Sequence, residues 1–211
     1  MSSGTRKDWS PASFPSDAEA AQRLREWLDG EGGLDAVGLD LSGADLTGGD
    51  FAESWFTDAR MVGTKLAGAD LYRADAQGAD LTGADFTGCS LVRATLDDAV
   101  LRNAVLDGAD LVKASLYEVD ASGASCRGTQ FMGALLQKVN FCGVDLREAV
   151  FKENSFQVVL DEETTMDGAT GTVLGPAVLV DGSGSHELAG AGLEEWIRAR
   201  GGRVRVVSPH E

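Results

Sequence analysis

The chain has only two histidines, and both of them, His186 and His210, lie near its C-terminal end. Most of the sequence therefore lacks the commonest general base and the commonest metal ligand. Cysteine is almost as scarce. Cys89, Cys126 and Cys142 are an odd set with no paired spacing. They exclude a disulfide framework, give no zinc motif, and suit a reducing cytoplasm. No apolar run approaches the ~20 residues of a membrane-spanning helix, and Met1 to Trp9 lack the apolar stretch of a signal peptide. Basic residues are also short, with 18 Lys and Arg against 34 Asp and Glu and a formal charge of −16. The imbalance extends along the whole chain. That disfavours direct nucleic-acid binding, which needs cations against phosphates, and favours a protein partner with a basic surface. There is no nucleophile elbow, P-loop or dinucleotide fingerprint. We expect no enzyme, no cofactor and no metal.

What the sequence does hold is a period. Every fifth residue from Leu41 to Phe156 is apolar, over 24 consecutive pentapeptides, 13 of them centred on Leu and seven on Phe. Five is neither the 3.6 of a helix nor the 2 of a strand. The chain must turn a corner every five residues and point the same slot inward each time. Two residues before each centre sits a small residue, Ala in 14 of the 24 cases. Large and small side chains thus share the interior. The residue between them is most often Asp, and the second residue after the centre is often Gly, where a corner must turn. Cys89 falls at the small inward slot and Cys126 at the large one, so both read as buried thiols.

Units such as Ala79-Asp80-Leu81-Thr82-Gly83 and Ala109-Asp110-Leu111-Val112-Lys113 fit A-(D/N)-L-x-x. This pattern resembles the pentapeptide repeat family. The resemblance implies a mainly β fold, a right-handed four-sided β-helix with four pentapeptides per coil. Twenty-four repeats then make about six coils, and coils spaced about 4.8 Å apart make a rod roughly 29 Å long. Some members of that family protect or inhibit DNA gyrase or topoisomerase IV by imitating duplex DNA. The present chain has no loop insertion between residues 41 and 156, a form that fits the uninterrupted-rod members which inhibit gyrase.

A solenoid needs covers at both ends. Ser16 followed by Glu19 has capping-box spacing and predicts a helix to about Leu28, with Ala20, Leu24, Trp27 and Leu28 as its apolar stripe. We divide the chain into a loose N-terminus (1–15), an N-terminal helical cap (16–38), the repeat β-helix (39–158) and a small mixed α/β segment (159–211). That last segment reads either as a cap or as a dimerisation module making a homodimer. Met166 falls back into register, which predicts part of a seventh coil. Trp55 stands where Asp is usual, and reads either as covered by the N-terminal helix or as an exposed contact for a partner.

Folding the register into columns of 20 residues separates the surface. Asp40, Asp80 and Asp120 share one column, Asp45, Asp85 and Asp145 the next, and Asp50, Asp70 and Asp110 the third. Of these, Asp45, Asp85, Asp50, Asp70 and Asp110 are the candidate partner-binding acids. They serve the DNA-mimicry reading, although a short Asp at a corner can also bond local backbone N–H groups. A further column carries Tyr72, Val92, Val112 and Met132, each followed along the chain by Arg73, Arg93, Lys113 and Gly133. This apolar stripe beside a basic ladder reads as a salt-bridged edge, with Asp75, Asp97, Asp98 and Glu118 as pairing candidates, as a protein-binding surface, or as the seat of the C-terminal segment.

Overall fold

A computed structural model describes residues 9–207. Residues 1–8 of the expected loose N-terminus, and His210, lie outside the described residues. From residue 35 onward the chain coils. Single-residue parallel bridges join positions 20 apart, from Asp35↔Trp55 through Asp70↔Ser90 and Asp110↔Gln130 to Asp145↔Thr165. Four such ladders, five residues out of phase, define four faces. Face A carries residues 35, 55, 75 and onward, face B 40, 60 and 80, face C 45, 65 and 85, and face D 50, 70 and 90. The pentapeptide centres and the residues two before them are buried throughout 41–156. Phe51, Phe56, Phe86, Phe131, Phe141, Phe151 and Phe156 fill the bore. Phe131 and Phe151, one coil apart, stack at 5.3 Å with 6° between their planes.

The backbone explains why the period is five. Each centre donates its N–H to the next coil, as Leu81 to Val100 O at 2.8 Å, and the small residue closes the corner, as Ala84 N to Leu81 O at 3.0 Å. The second residue after each centre from Leu41 to Phe151 takes the left-handed conformation, which is where glycine avoids the Cβ penalty. Thr64, Thr129 and Thr164 occupy small slots, and each buried hydroxyl donates to a backbone carbonyl one coil away. Cys89 and Cys126 are buried as expected. Cys89 donates to Ala69 O, and burial pushes both thiols well up from their usual range.

The N-terminal end is closed by α1 (Ala18–Asp29). Its N-cap is Asp17, which accepts from Ala20 N at 2.8 Å, so the cap lies one residue beyond the Ser16 that the capping-box spacing suggested. Trp27 stacks on Phe51 at 5.1 Å and plugs the bore. Residues 9–14, expected to be loose, are packed against the first coils. Trp9 meets Trp27 and Phe51 edge-on and donates its indole N–H to Thr47 O at 2.9 Å. Ser13 forms an antiparallel bridge with Asp45. The N-terminal half of the repeat has no six-residue strands. Regular strands appear as β1 (Leu135–Asn140) and β2 (Val150–Asp161).

The ladder continues past Phe156, at the price of a register change. Leu136 pairs with Phe156, but Val139 pairs with Val158, so one corner is a residue short. Leu160 takes the next inward slot, and the following corner is a residue long before Thr164 and Met166 return inside. β3 (Thr170–Leu174) and β4 (Ala177–Asp181) then pair in parallel with different parts of β2, on faces separated by a bend. β5 (Gly184–Leu188) returns antiparallel on β4. α2 (Gly190–Ala199) buries Leu193 and Ile197 under the last coil, and β6 (Arg203–Val207) lies parallel to β3. Gly171 has φ +119°, and a Cβ there would fall on the Phe151 carbonyl oxygen. Two backbones pass so closely at this point that only glycine fits.

Candidate functional site

The acidic columns lie where the period placed them, and each Asp has a structural task. Its Oδ1 accepts the N–H of the residue two ahead: Ala52 N to Asp50 at 3.2 Å, Tyr72 N to Asp70 at 2.8 Å, Thr87 N to Asp85 at 2.9 Å, Val112 N to Asp110 at 3.0 Å. This Asx turn holds the corner and leaves the second carboxylate oxygen facing outward. The columns differ in what neutralises them. On face B, Arg60 pairs with Asp40 at 3.3 Å and Arg102 with Asp120 at 2.5 Å. On face C, Lys65 pairs with Asp45 at 3.5 Å, and Arg147 holds Asp145 at 2.5 Å. The hydrogen bonds from Arg147 keep the Asp145 carboxyl down at about 2. Asp45 is also bridged by Ser13, which makes it the least available of the five candidate acids. Asp50, Asp70 and Asp110 on face D make no ion pair among the described residues, and neither does Asp85.

The apolar and basic edge is a real column at the corner between faces D and A. Tyr72, Val92, Val112 and Met132 are half-buried, and Arg73, Arg93 and Lys113 are exposed. The ladder is not paired as expected. Arg73 lies 3.9 Å from Glu53, one coil back, and its guanidinium stands 5.3 Å from the Tyr72 ring. Asp75, Asp97, Asp98 and Glu118 do not reach it. Arg93 and Lys113 make no ion pair among the described residues, and Glu118 is held by Lys138 at 2.5 Å. The C-terminal strands stack below the rod on their own ladders, so they do not sit along this edge.

Trp55 is not under α1. It occupies the outward slot of face A, 49% exposed, while its backbone bonds Leu34 and Ala36. The helix covers the bore, and the outward slot lies to one side of it. Sequence reasoning missed the company Trp55 keeps. Leu135 and Leu174 are exposed on the same ladder, and Val37 on the adjoining corner. Asp58 was missed too, and Asp98 was read only as a pairing candidate for the basic ladder. The signal was present in the repeat as charged residues in the left-handed slot normally given to glycine.

Among the described residues no group of His, Cys, Asp or Glu could hold a metal ion, and no helix is long and apolar enough to cross a membrane. The surface hollows are shallow. One lies between Arg147, Thr165 and Arg200, another between Glu194, Arg198 and Arg203.

No curated protein matches the sequence at a significant level. Several solved structures are similar in part, among them the following three. HetL, a pentapeptide repeat protein involved in heterocyst differentiation regulation from the cyanobacterium Nostoc sp. strain PCC 7120, is 18% identical, with 72% of this chain and 84% of that one covered and a TM-score of 0.33. QnrB1 (M102R, trypsin-treated), a plasmid-mediated fluoroquinolone resistance protein, is 19% identical over 66% of this chain and 79% of that one, with a TM-score of 0.47. Rfr23 from the cyanobacterium Cyanothece 51142 is 23% identical over 63% and 91%, with a TM-score of 0.36. The pentapeptide repeats family matches in eight copies, over residues 33–63, 50–88, 89–128, 99–137 and 124–157. With most of its length so matched and its bore filled by the repeat centres, the chain belongs to the pentapeptide repeat family.

Proposed function

We propose that this protein is a non-enzymatic binding protein of the cytoplasm, whose acidic rod takes the place of duplex DNA on a type II topoisomerase, DNA gyrase or topoisomerase IV. In doing so it inhibits the enzyme or protects it from poisons. One observation carries this reading. Intramolecular ion pairs consume the rod's cations on faces B and C but leave the face D carboxylates of Asp50, Asp70 and Asp110 uncompensated. Their outward oxygens repeat along the rod at multiples of the coil spacing. Charge density sets the scale. A duplex carries one charge per about 1.7 Å, or about 17 over ~29 Å, so the rod is the weaker polyanion and must concentrate its charge on particular faces. The family resemblance supports the target. A homodimer through residues 159–211 would have to use the free edge of β5 or the exposed Val178 and Val180, since α2 spends its apolar side on its own rod.

The test is a supercoiling assay with purified gyrase. Wild-type protein should inhibit the reaction or relieve a gyrase poison. Changing Asp50, Asp70, Asp85 and Asp110 to Asn should reduce that effect while circular dichroism still reports a folded β-helix. Asp45→Asn should matter less, because Lys65 already neutralises that carboxylate. Loss of effect from Asp45→Asn alone would contradict the assignment to face D.

A second reading rests on the exposed apolar residues. Trp55 and the stripe from Tyr72 to Met132 suit a scaffold, or an immunity or self-resistance factor, acting on another protein. Activity that survives the acidic substitutions but is lost in Tyr72→Ser would favour it.

A further inference from the structure

Face A is built differently from the other three. Eleven non-glycine residues of the described chain hold positive φ, and nine of them stand on the two corners that flank this face. Glu53, Arg73, Arg93, Lys113 and Glu153 line one corner, and Asp58, Asp98, Glu118 and Lys138 line the other. The corners on either side of face C use glycine at the same slot, apart from Asn103 and Glu148. A side chain in this conformation has a backbone cost that glycine would avoid. The fold therefore accepts strain to place charge around one face. The same face and its margin hold four of the six large apolar side chains exposed among the described residues, Val37, Trp55, Leu135 and Leu174.

The charges are sorted by sign over the middle coils. Arg73, Arg93 and Lys113 form one edge, and Asp58, Asp98 and Glu118 form the other. We propose that face A docks a second copy of this chain, with the two rods parallel and the two-fold axis running along them between the faces. That operation lays the basic edge of each rod over the acidic edge of its partner, at equal height. Arg93 then meets Asp98 and Lys113 meets Glu118, since each pair lies five residues apart on one coil. Arg73 meets Gly78, and there the Asp58 carboxylate is folded over the glycine, with Oδ1 where a Cβ would stand. The cations Arg93 and Lys113, and the acids Asp58 and Asp98, make no ion pair within the monomer's described residues, and Asp98 accepts only a hydrogen bond from the Gln77 amide, so their charges are left to pair across the interface. Glu118 already accepts from Lys138. The same axis sets Trp55 on Trp55, Leu135 on Leu135 and Leu174 on Leu174, the self-matching that an isologous contact requires. The alternative two-fold, across the rods, would set cation on cation and acid on acid. Like charges oppose the dimer at three levels: Asp75, near the middle of the face, meets its own copy, Asp35 does the same at the N-terminal end, where Arg23 already pairs with it, and Glu53 lies opposite Asp58.

Analytical ultracentrifugation of the full chain tests this. The wild type should show a reversible monomer–dimer equilibrium that weakens as salt rises. Arg93→Glu with Lys113→Glu gives a face with two acidic edges, and Asp98→Lys with Glu118→Lys gives one with two basic edges. Each double variant alone should associate at least about tenfold more weakly than wild type, and an equimolar mixture should recover a heterodimer. Misfolded chains cannot give that recovery, so the mixture separates lost charge matching from lost structure. Asp75→Asn should tighten the wild-type dimer. A wild type that stays monomeric at roughly millimolar concentration, where even weak contacts of this kind form, overturns the proposal. So does a mixture that fails to associate. So does a dimer abolished by His186→Pro in β5 and unchanged in both charge variants, which would assign pairing to the free β5 edge.

Discussion

Replacing Leu81 by Ala, beside its neighbour Asp80 replaced by Ala, asks the most of the register. Leu81 is 1% exposed and sits at an inward slot in the middle of the rod, between Met61 and Leu101 on neighbouring coils. Truncating a buried Leu costs about 2–5 kcal/mol, and more when the site cannot collapse. This site cannot. Leu81 already borders a small apolar void that exists because Ala76 holds a slot usually given to Leu or Phe, and the hydrogen-bonded coils above and below fix the walls. A cost near the upper half of the range, about 3–5 kcal/mol, is expected. Asp80 points outward and its Oδ1 accepts from Thr82 N at 3.1 Å and Thr82 Oγ1 at 2.7 Å. Losing the backbone bond costs about 0.5–1.5 kcal/mol. The assay is equilibrium urea unfolding followed by circular dichroism, with the two midpoints compared at constant slope. Equal losses from the two substitutions, or a larger loss from Asp80→Ala, would refute the inward and outward assignment.

Other expectations concern the ends and the charge pairs. Deleting residues 1–33 removes Trp9, Trp27 and Leu24 from the bore and exposes Phe51, so the truncated rod should aggregate or associate end to end in light scattering; an unchanged, monodisperse protein would show that α1 covers nothing. Gly171→Ala must push the β3 backbone off Phe151, and should strip hydrogen-exchange protection from β3, β6 and α2 while coils near Leu81 keep theirs. The depressed Asp145 carboxyl makes stability pH-dependent in one direction. Its folded value, about 2, lies below the unfolded one, so its contribution is complete above about pH 4 and fades as pH falls toward 2. Asp145→Asn should flatten the stability profile over that window, and an unaltered profile would contradict the Arg147 pairing.

How legible was this molecule in its sequence? The bore was, because a five-residue period leaves one arrangement of inward slots, and each of the 24 repeat centres is buried. The acidic columns were too, since arithmetic modulo 20 reproduces the ladders. Register beyond Phe156 was not. The short corner before Val158 and the long one before Thr164 cancel, so periodicity alone sees a lapse and then Met166 in phase. Ion pairing was also hidden. Arg73 reaches back along its column to Glu53, not forward along the chain, because the coil spacing is shorter than the distance around a corner. Trp55 was ambiguous for a related reason: the outward slot is known from the period, but what a neighbouring helix covers depends on its tilt. One corner of face A, the basic ladder, was visible in the same arithmetic, and the backbone angles drew attention to the acidic corner opposite it.

The central claim is that the rod occupies the DNA site of a topoisomerase. Competition binding tests it most directly, with labelled duplex DNA on purified gyrase displaced by the full-length protein at several salt concentrations. The account predicts displacement that weakens steeply as salt rises, since opposed charge drives it, and that weakens again in the Asp50, Asp70, Asp85 and Asp110 variant. Displacement insensitive to both salt and those four carboxylates, or no displacement at roughly tens of micromolar protein at low salt, where steered charge pairs bind best, would contradict it.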